Sequence, residues 1–214
     1  MSIRYKKWMI LGVAAALLAV AASPALAGND KSTSGVFWFA EPEKLVGNSH
    51  LWRGDEGVRM LFKTSELGPR EAVTIWWVVF NEPENCSAPC NEDDIFIDGD
   101  PTKGLNVAGI EAADIVAGYA TGKVGSSGGN VNLNATLGEG EIGPEVIFGD
   151  GALLKDARRA EIHLVVRSHG PAKPGLEEIQ IGSFAGGCEV FRNPPAIPTS
   201  EGECADIQFA VHQP

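Results

Sequence analysis

Apolar residues in this chain recur mainly at every second position, and this period constrains the fold more than any other feature of the sequence. Successive side chains of a strand point to opposite faces, so a period of two predicts strands rather than helices. The chain also holds 26 Gly and 13 Pro, and short strands separated by Gly and Pro turns are typical of antiparallel sheets. The predicted strands are 58–64, 72–80, 114–123, 131–137, 161–167, 179–184 and 206–212.

The strands differ in how many of their faces are apolar. Residues 72–80 read AVTIWWVVF, which is apolar on both faces, so this strand is expected to be buried on both sides or covered by a loop. The strand at 131–137 alternates strictly and predicts one wet face. In the strand at 161–167 the expected inward residues are Ile162, Leu164 and Val166, with Glu161, His163, Val165 and Arg167 outward; in the last strand they are Ile207, Phe209 and Val211.

Helical patterning is confined to Gly151–Ala160, which predicts a turn or two of helix. The expected fold is therefore all-β, an antiparallel sandwich or barrel of immunoglobulin-like or superoxide-dismutase-like architecture with at most one short helix. A single domain is expected over residues 36–214, preceded by a flexible polar segment at 28–35.

The N-terminal 27 residues have the order of a secretory signal peptide. Basic residues at positions 4, 6 and 7 precede an apolar run from Trp8 to Ala22, and Ala25-x-Ala27 offers the small side chains that a signal peptidase needs. The apolar run is short for a bilayer span of about 20 residues, which disfavours the alternative of an uncleaved anchor. The protein is thus expected to be secreted or periplasmic, with no membrane span after cleavage near Ala27.

The net charge limits the classes of partner. The formal charge is −11, and removal of the three basic residues before Ala27 makes it −14. Such a surface repels polyanions, so nucleic acid and anionic membranes are poor partners. The expected partner is an extracellular protein, a polymer or a surface.

The four cysteines predict disulfides, because an even count in an exported chain is typical of disulfide pairing. Their order favours two local bridges, Cys86 with Cys90 and Cys188 with Cys204, among three connectivities. A thiolate metal site is the alternative, but neither spacing is that of a zinc ribbon.

The stretch from Leu67 to Cys90, LGPREAVTIWWVVFNEPENCSAPC, resembles a family of uncharacterised secreted proteins with a WWVVFNxPxxCxxxC segment. Residues 163–171, 186–188 and 204–209 are similar to later blocks of that family. The resemblance implies export, paired cysteines and β structure. A weaker similarity, to chordin-type domains, rests on the turn at 67–74 and a later His-bearing strand, but the His-x-His pair usual in those domains is missing here. It implies a fold and no activity.

Two groups of residues are candidate metal ligands. His163 and His169 could converge on a transition metal, although six residues along a strand span about 20 Å, and a solvated strand edge is the simpler interpretation. Oxygen-rich loops can hold calcium in extracellular proteins, but the acidic loop here lacks the ligand spacing of an EF-hand and is more simply a surface turn. Its candidate ligands are Asp93, Asp94, Asp98 and Asp100.

Trp76 is the candidate ligand platform, because it lies opposite the core-facing Trp77 and could stack on a sugar ring if exposed. No signature of a hydrolase, a nucleotide-binding loop or a metalloprotease occurs, which disfavours an enzyme. We therefore predict a secreted, non-catalytic β domain with a binding or structural role and no cofactor. The alternative is a metal-dependent secreted enzyme of superoxide-dismutase-like architecture that uses His163 and His169.

Overall fold

The computed structural model describes residues 30–87, 89–149, 151–186 and 204–214. The predicted signal peptide and Cys188 lie outside these residues. The described residues form nine strands: β1 (Asp30–Trp38), β2 (Leu45–Gly54), β3 (Gly57–Thr64), β4 (Glu71–Phe80), β5 (Ile115–Val124), β6 (Val131–Gly138), β7 (Val146–Phe148), β8 (Glu161–Pro171) and β9 (Ala205–His212).

All nine strands belong to one antiparallel sheet in the order β6-β3-β2-β1-β9-β8-β4-β5-β7. The sheet curls into a half-barrel, and β9, the last strand along the chain, lies in its middle between β1 and β8. The prediction of an all-β antiparallel fold is confirmed. Helical structure in the described residues is confined to short 3-10 turns and three α-helices of four to six residues, α1 (Glu92–Ile95), α2 (Val107–Ala112) and α3 (Glu177–Ile181).

The main core fills the inner face of the curled sheet. It draws side chains from every strand except β7 and from the connection between β7 and β8. Each large apolar side chain buried here contributes roughly 1.5–3 kcal/mol relative to exposure, so this face carries most of the hydrophobic stabilisation. Its largest fully buried members include Leu51, Met60, Phe62, Trp77, Leu133 and Leu164.

A second core lies on the outer face of β4, β5 and β8. Trp76, Val78 and Phe80 project to this face, while the alternate residues of β4 belong to the main core. The connection between β4 and β5, residues 81–114, folds over this face and carries α1 and α2, with Ile95 buried against the sheet. The prediction that β4 is buried on both sides is therefore confirmed.

Two asparagines begin the helices of this connection. The Asn91 side chain accepts a hydrogen bond from the backbone of Asp93, while the Asp94 carboxylate accepts one from the Asn91 backbone, which makes a capping box. The Asn106 side chain accepts a hydrogen bond from the backbone N–H of Gly109 at the start of α2. These caps satisfy backbone donors that a helix start leaves without partners.

The covered outer face explains why part of the orientation predicted for β8 is wrong. Glu161, Val165 and Arg167 are 4–6 % exposed instead of lying in water, because residues outside the strand cover them. In β9 the fully buried residues are Gln208, Ala210 and His212, whereas Ile207, Phe209 and Val211, predicted to point inward, are half-buried.

Three local predictions also differ from the structure. Residues 30–35, expected to be flexible, pair with β2 as part of β1. Residues 179–184, expected to be a strand, include the end of α3. Residues 151–160 form no helix: the Asp156 carboxylate accepts hydrogen bonds from the backbones of Arg158 and Arg159 and holds a turn instead.

Cys86 and Cys90 form a disulfide in the connection over the second core, as predicted. None of the described cysteines is free. The pairing of Cys188 with Cys204 stays a prediction, since Cys188 lies outside the described residues.

Replacing Cys86 and Cys90 with Ser is expected to lower the free energy of unfolding by about 2 kcal/mol, because the bridge closes a loop of only five residues. Equilibrium denaturation in urea measures this change. A control with the single substitution Cys86→Ser should lose at least as much. A double variant as stable as the original protein would contradict the expectation.

Candidate functional site

A cleft lined by ionisable and aromatic side chains lies between the outer face of the sheet and the connection that covers it. Its volume is about 740 Å³, within the range of small-molecule pockets. We call it the acidic cleft. Strands β4, β8 and β9 form its floor, the start of α1 and the turn at Ile97–Gly99 form one wall, and the β1–β2 connection forms the rim. Its lining includes Phe39, Trp76, Glu92, Asp93, Asp98, His163, Asp206 and Phe209.

Aromatic rings make the floor of the acidic cleft apolar. The rings of Phe39 and Phe209 lie 4.7 Å apart between centroids. Trp76 packs edge-on against Phe184 at 5.3 Å and against Phe148 at 6.2 Å. Such tilted and edge-to-face contacts fix ring positions, so the floor is built before any ligand arrives.

Trp76 is only 5 % exposed, so the prediction that it is an open platform for a sugar ring is wrong. The ring is buried because the connection over β4 and the residues around Phe184 cover it. The residue thus contributes a fixed wall to the cleft rather than a stacking surface.

Carboxyl groups lie on both the floor and the wall of the acidic cleft. Asp206 is bound by the guanidinium of Arg167 at 2.9 Å. Its pKa lies above the ordinary value because burial of the carboxyl outweighs the opposing effects of Arg167 and of the Trp76 indole. Glu92 lies across from it at the start of α1 and makes no ion pair with any described residue.

The pKa of Glu92 is raised, first by burial and then by the negative charges of Asp206 and Asp93. A carboxylate in such a position is stabilised by any positive charge that enters the cleft. The geometry therefore suits a cation attached to an apolar body, the cation near Glu92 and the apolar part against the aromatic floor.

His163 projects into the acidic cleft from β8. Its Nε2 lies 2.7 Å from Oε1 of Glu161, and its ring packs on Phe80 with 4.7 Å between centroids. Glu161 is itself buried, so this pair satisfies a carboxylate that the sheet would otherwise leave desolvated.

The second candidate metal ligand, His169, lies six positions further along β8. Its Nε2 is 2.9 Å from the hydroxyl of Thr74, and the ring is 1 % exposed. Burial, and then the charge of Arg167, lowers its pKa to about 4. The structure gives His163 and His169 different partners and does not bring them into one site. No group of three or more His, Cys, Asp or Glu side chains within the described part of the chain is placed to hold a metal ion.

Three of the four candidate calcium ligands, Asp94, Asp98 and Asp100, make contacts that hold the local structure. Asp94 accepts hydrogen bonds from the backbones of Ser87 and Asn91. Asp98 pairs with Lys103 at 3.0 Å, and the backbone and hydroxyl of one threonine bind Asp100. Asp93 lines the acidic cleft, where its negative charge acts on Glu92. Calcium binding stays a prediction that these contacts do not support.

Glu92 and Asp206 are the important residues that sequence reasoning did not single out. They are 114 positions apart, and only the folding of the connection over the sheet brings them to one cleft. The capping box that begins at Asn91 was a usable signal for α1, since Asn-x-x-Asp marks a helix start. Nothing in the local sequence pattern of β9 indicates that Asp206 lines the acidic cleft.

Comparison of the chain with models of known protein families finds no match, and comparison with curated proteins finds none either. Among the described residues, no helix is long and apolar enough to cross a membrane.

Proposed function

We propose that the protein is a non-catalytic binding domain of the extracytoplasmic space, and that the acidic cleft holds a ligand with an apolar body and a positive charge. One observation carries this proposal: Glu92, with a raised pKa and no ion pair to a described residue, faces a preformed aromatic floor across a cleft of about 740 Å³. A ligand ammonium or guanidinium group would supply the missing positive charge.

The aromatic floor supports the same ligand class. Rings attract cations through their faces, and this attraction strengthens in partly desolvated sites. The formal charge of −11 would also increase the rate at which cations reach the cleft. Export is supported by the Cys86–Cys90 disulfide and by the signal-peptide pattern of the sequence. We also propose that the chain is related to the family of secreted proteins with a WWVVFNxPxxCxxxC segment.

The proposal is tested with three probes of similar shape: 2-phenylethylammonium, the uncharged 2-phenylethanol and the anion phenylacetate. Calorimetry at pH 7 should show the cation binding most tightly and the anion most weakly. Since burial raises the pKa of Glu92, affinity for the cation should fall as the pH drops through that raised value. Equal affinities for the three probes would contradict the proposal.

Replacing Glu92 with Gln is expected to weaken binding of 2-phenylethylammonium about tenfold, because the side chain keeps its shape and loses its charge. The matched control is Glu111→Gln, an exposed residue of α2 that does not line the cleft. Titration calorimetry of both variants measures the effect. If Glu111→Gln weakens binding as much as Glu92→Gln does, the overall charge rather than the cleft controls affinity.

A further inference from the structure

A second surface, independent of the acidic cleft, lies on the outer face of β1, β2, β3 and β6. Here the sheet has only its inner face covered, so alternate residues of four strands project into solvent. Cross-strand register aligns twelve of them in three rows of four. The rows are Lys31, Trp52, Arg59 and Thr136; Thr33, His50, Leu61 and Asn134; and Gly35, Asn48, Lys63 and Asn132.

The charge on these rows differs from that of the whole chain. The chain has 28 acidic residues, yet none of the twelve positions is acidic, while Lys31, Arg59 and Lys63 are basic. No ion pair to a described residue neutralises any of these three cations. Lys123 of β5 reaches the same edge, where its ammonium group lies 3.3 Å from the Asn132 carbonyl oxygen. We call this surface the basic face.

Trp52 organises two of the cations. The ammonium group of Lys31 lies 5.3 Å from the centre of its ring, and the guanidinium carbon of Arg59 lies 5.4 Å from it. Cation–π attraction thus holds two like charges close to one ring. Neighbouring charges also act on His50, whose pKa is lowered first by burial and then by Lys31 and Lys63. The face therefore has a positive local potential.

The remaining side chains indicate what kind of anion fits. Polar groups without charge, Asn48, Asn132, Asn134, Thr33 and Thr136, alternate with the cations. Leu61 is the one aliphatic side chain among the twelve positions, whereas protein interfaces have an apolar centre. Hydroxyl-rich chains with regularly spaced carboxylate or sulfate groups can use both the amides and the cations.

We propose that the basic face binds an anionic polysaccharide, a polymer whose sugars carry carboxylate or sulfate groups. The net charge of −11 and the acidic turn Asp55–Glu56 beside Trp52 disfavour extended anionic surfaces such as duplex DNA or a lipid bilayer. A single flexible polysaccharide strand can run along the basic rows and bring fewer negative charges to those acidic groups than a duplex or a bilayer does.

The test compares two triple variants with the same loss of charge. Lys31→Ser, Arg59→Ser and Lys63→Ser remove the cations of the basic face, whereas Lys103→Ser, Lys155→Ser and Arg159→Ser remove exposed cations elsewhere that pair with acidic residues. Binding to immobilised polygalacturonate and to heparin is measured at low salt, with uncharged dextran as the blank. Thermal unfolding confirms that both variants are folded.

The original protein and the control variant are expected to bind at least one of the two anionic polymers and not dextran. The basic-face variant should bind it on the order of tenfold to a hundredfold more weakly, if each contact is worth what an exposed ion pair is worth. Absence of binding to both polymers would overturn the proposal, and so would equal losses in the two variants. Stronger binding to duplex DNA or to anionic vesicles than to either polymer would also overturn it.

Discussion

Lowering the pH from 7 to 4 is expected to remove roughly 6 kcal/mol from the free energy of unfolding, because two buried histidines resist protonation. His169 and His212 are each 1 % exposed, and burial lowers the pKa of each to about 4. In the unfolded chain both titrate near 6.5. The unfolded state therefore binds more protons below pH 6.5, and stability is lost as the pH falls from 6.5 towards 4. Each histidine accounts for about half.

His212 is the better residue for testing this prediction. Its two ring nitrogens lie 2.8 Å from the hydroxyl of Ser32 and 2.9 Å from that of Ser49, and the nearby positive charge of Arg53 adds to the effect of burial on its pKa. Urea denaturation at pH 7 and at pH 4.5 gives the loss of stability in each protein. His212→Gln should lower the stability at pH 7 and remove about half of the pH dependence.

The control for His212 is His50→Gln, since His50 lies on the partly exposed side of β2. It should leave most of the pH dependence in place. If His212→Gln keeps the full difference between pH 7 and pH 4.5, acid sensitivity arises from carboxyl groups and the assignment to His212 is wrong.

Replacing Arg53 with Met is expected to cost on the order of 3–5 kcal/mol of stability, because four carbonyl groups lose a charged donor. Arg53 is 3 % exposed. One guanidinium nitrogen donates to the carbonyls of Ala157 and Ala160, both at 2.7 Å, and the other donates to those of His212 and Gln213 at 2.9 and 3.0 Å. Methionine fills the volume but leaves these carbonyls without their donors.

Arg59→Met on the adjacent strand is the matched control, because Arg59 points to the outer, exposed side of β3. Exposed substitutions usually change stability by about 0.5 kcal/mol or less. Chemical denaturation at pH 7 compares the two variants. A loss below about 1 kcal/mol for Arg53→Met would show that water replaces the guanidinium at the four carbonyls.

Sequence patterning predicted those strands whose own apolar residues show which of their faces are buried. The run at 72–80 predicted a strand with two buried faces, and its odd and even residues enter two different cores. Strand β2 was missed because it contains Gly47, Asn48 and Gly54, which are unfavourable in strands. Its place in the sheet comes from pairing with β1 and β3, which no local pattern reports.

The candidate site was harder to predict because it belongs to no single segment. Whether His163 and Trp76 meet water depends on the connection at 81–114, which lies far from β8 in sequence. The sequence of the strand at 161–167 therefore predicted one solvent-exposed face, although its charged residues Glu161 and Arg167 are paired and buried. The basic face could not be predicted from the sequence for a related reason. Lys31, Arg59 and Lys63 are dispersed along the chain, and only the pairing of β1, β2 and β3 places them on one face of the sheet.

The central position of β9 has a consequence for the newly synthesised chain. β9 pairs with β1 through residues about 170 positions away, Phe37 with Phe209 and Trp38 with Gln208, and on its other side with β8. Until residues 205–212 join the sheet, β1 and β8 each present an unpaired edge, and such edges recruit strands from other molecules. Contacts this distant in sequence also form slowly. Incompletely folded molecules are therefore expected to be prone to aggregation until β9 joins the two halves of the sheet.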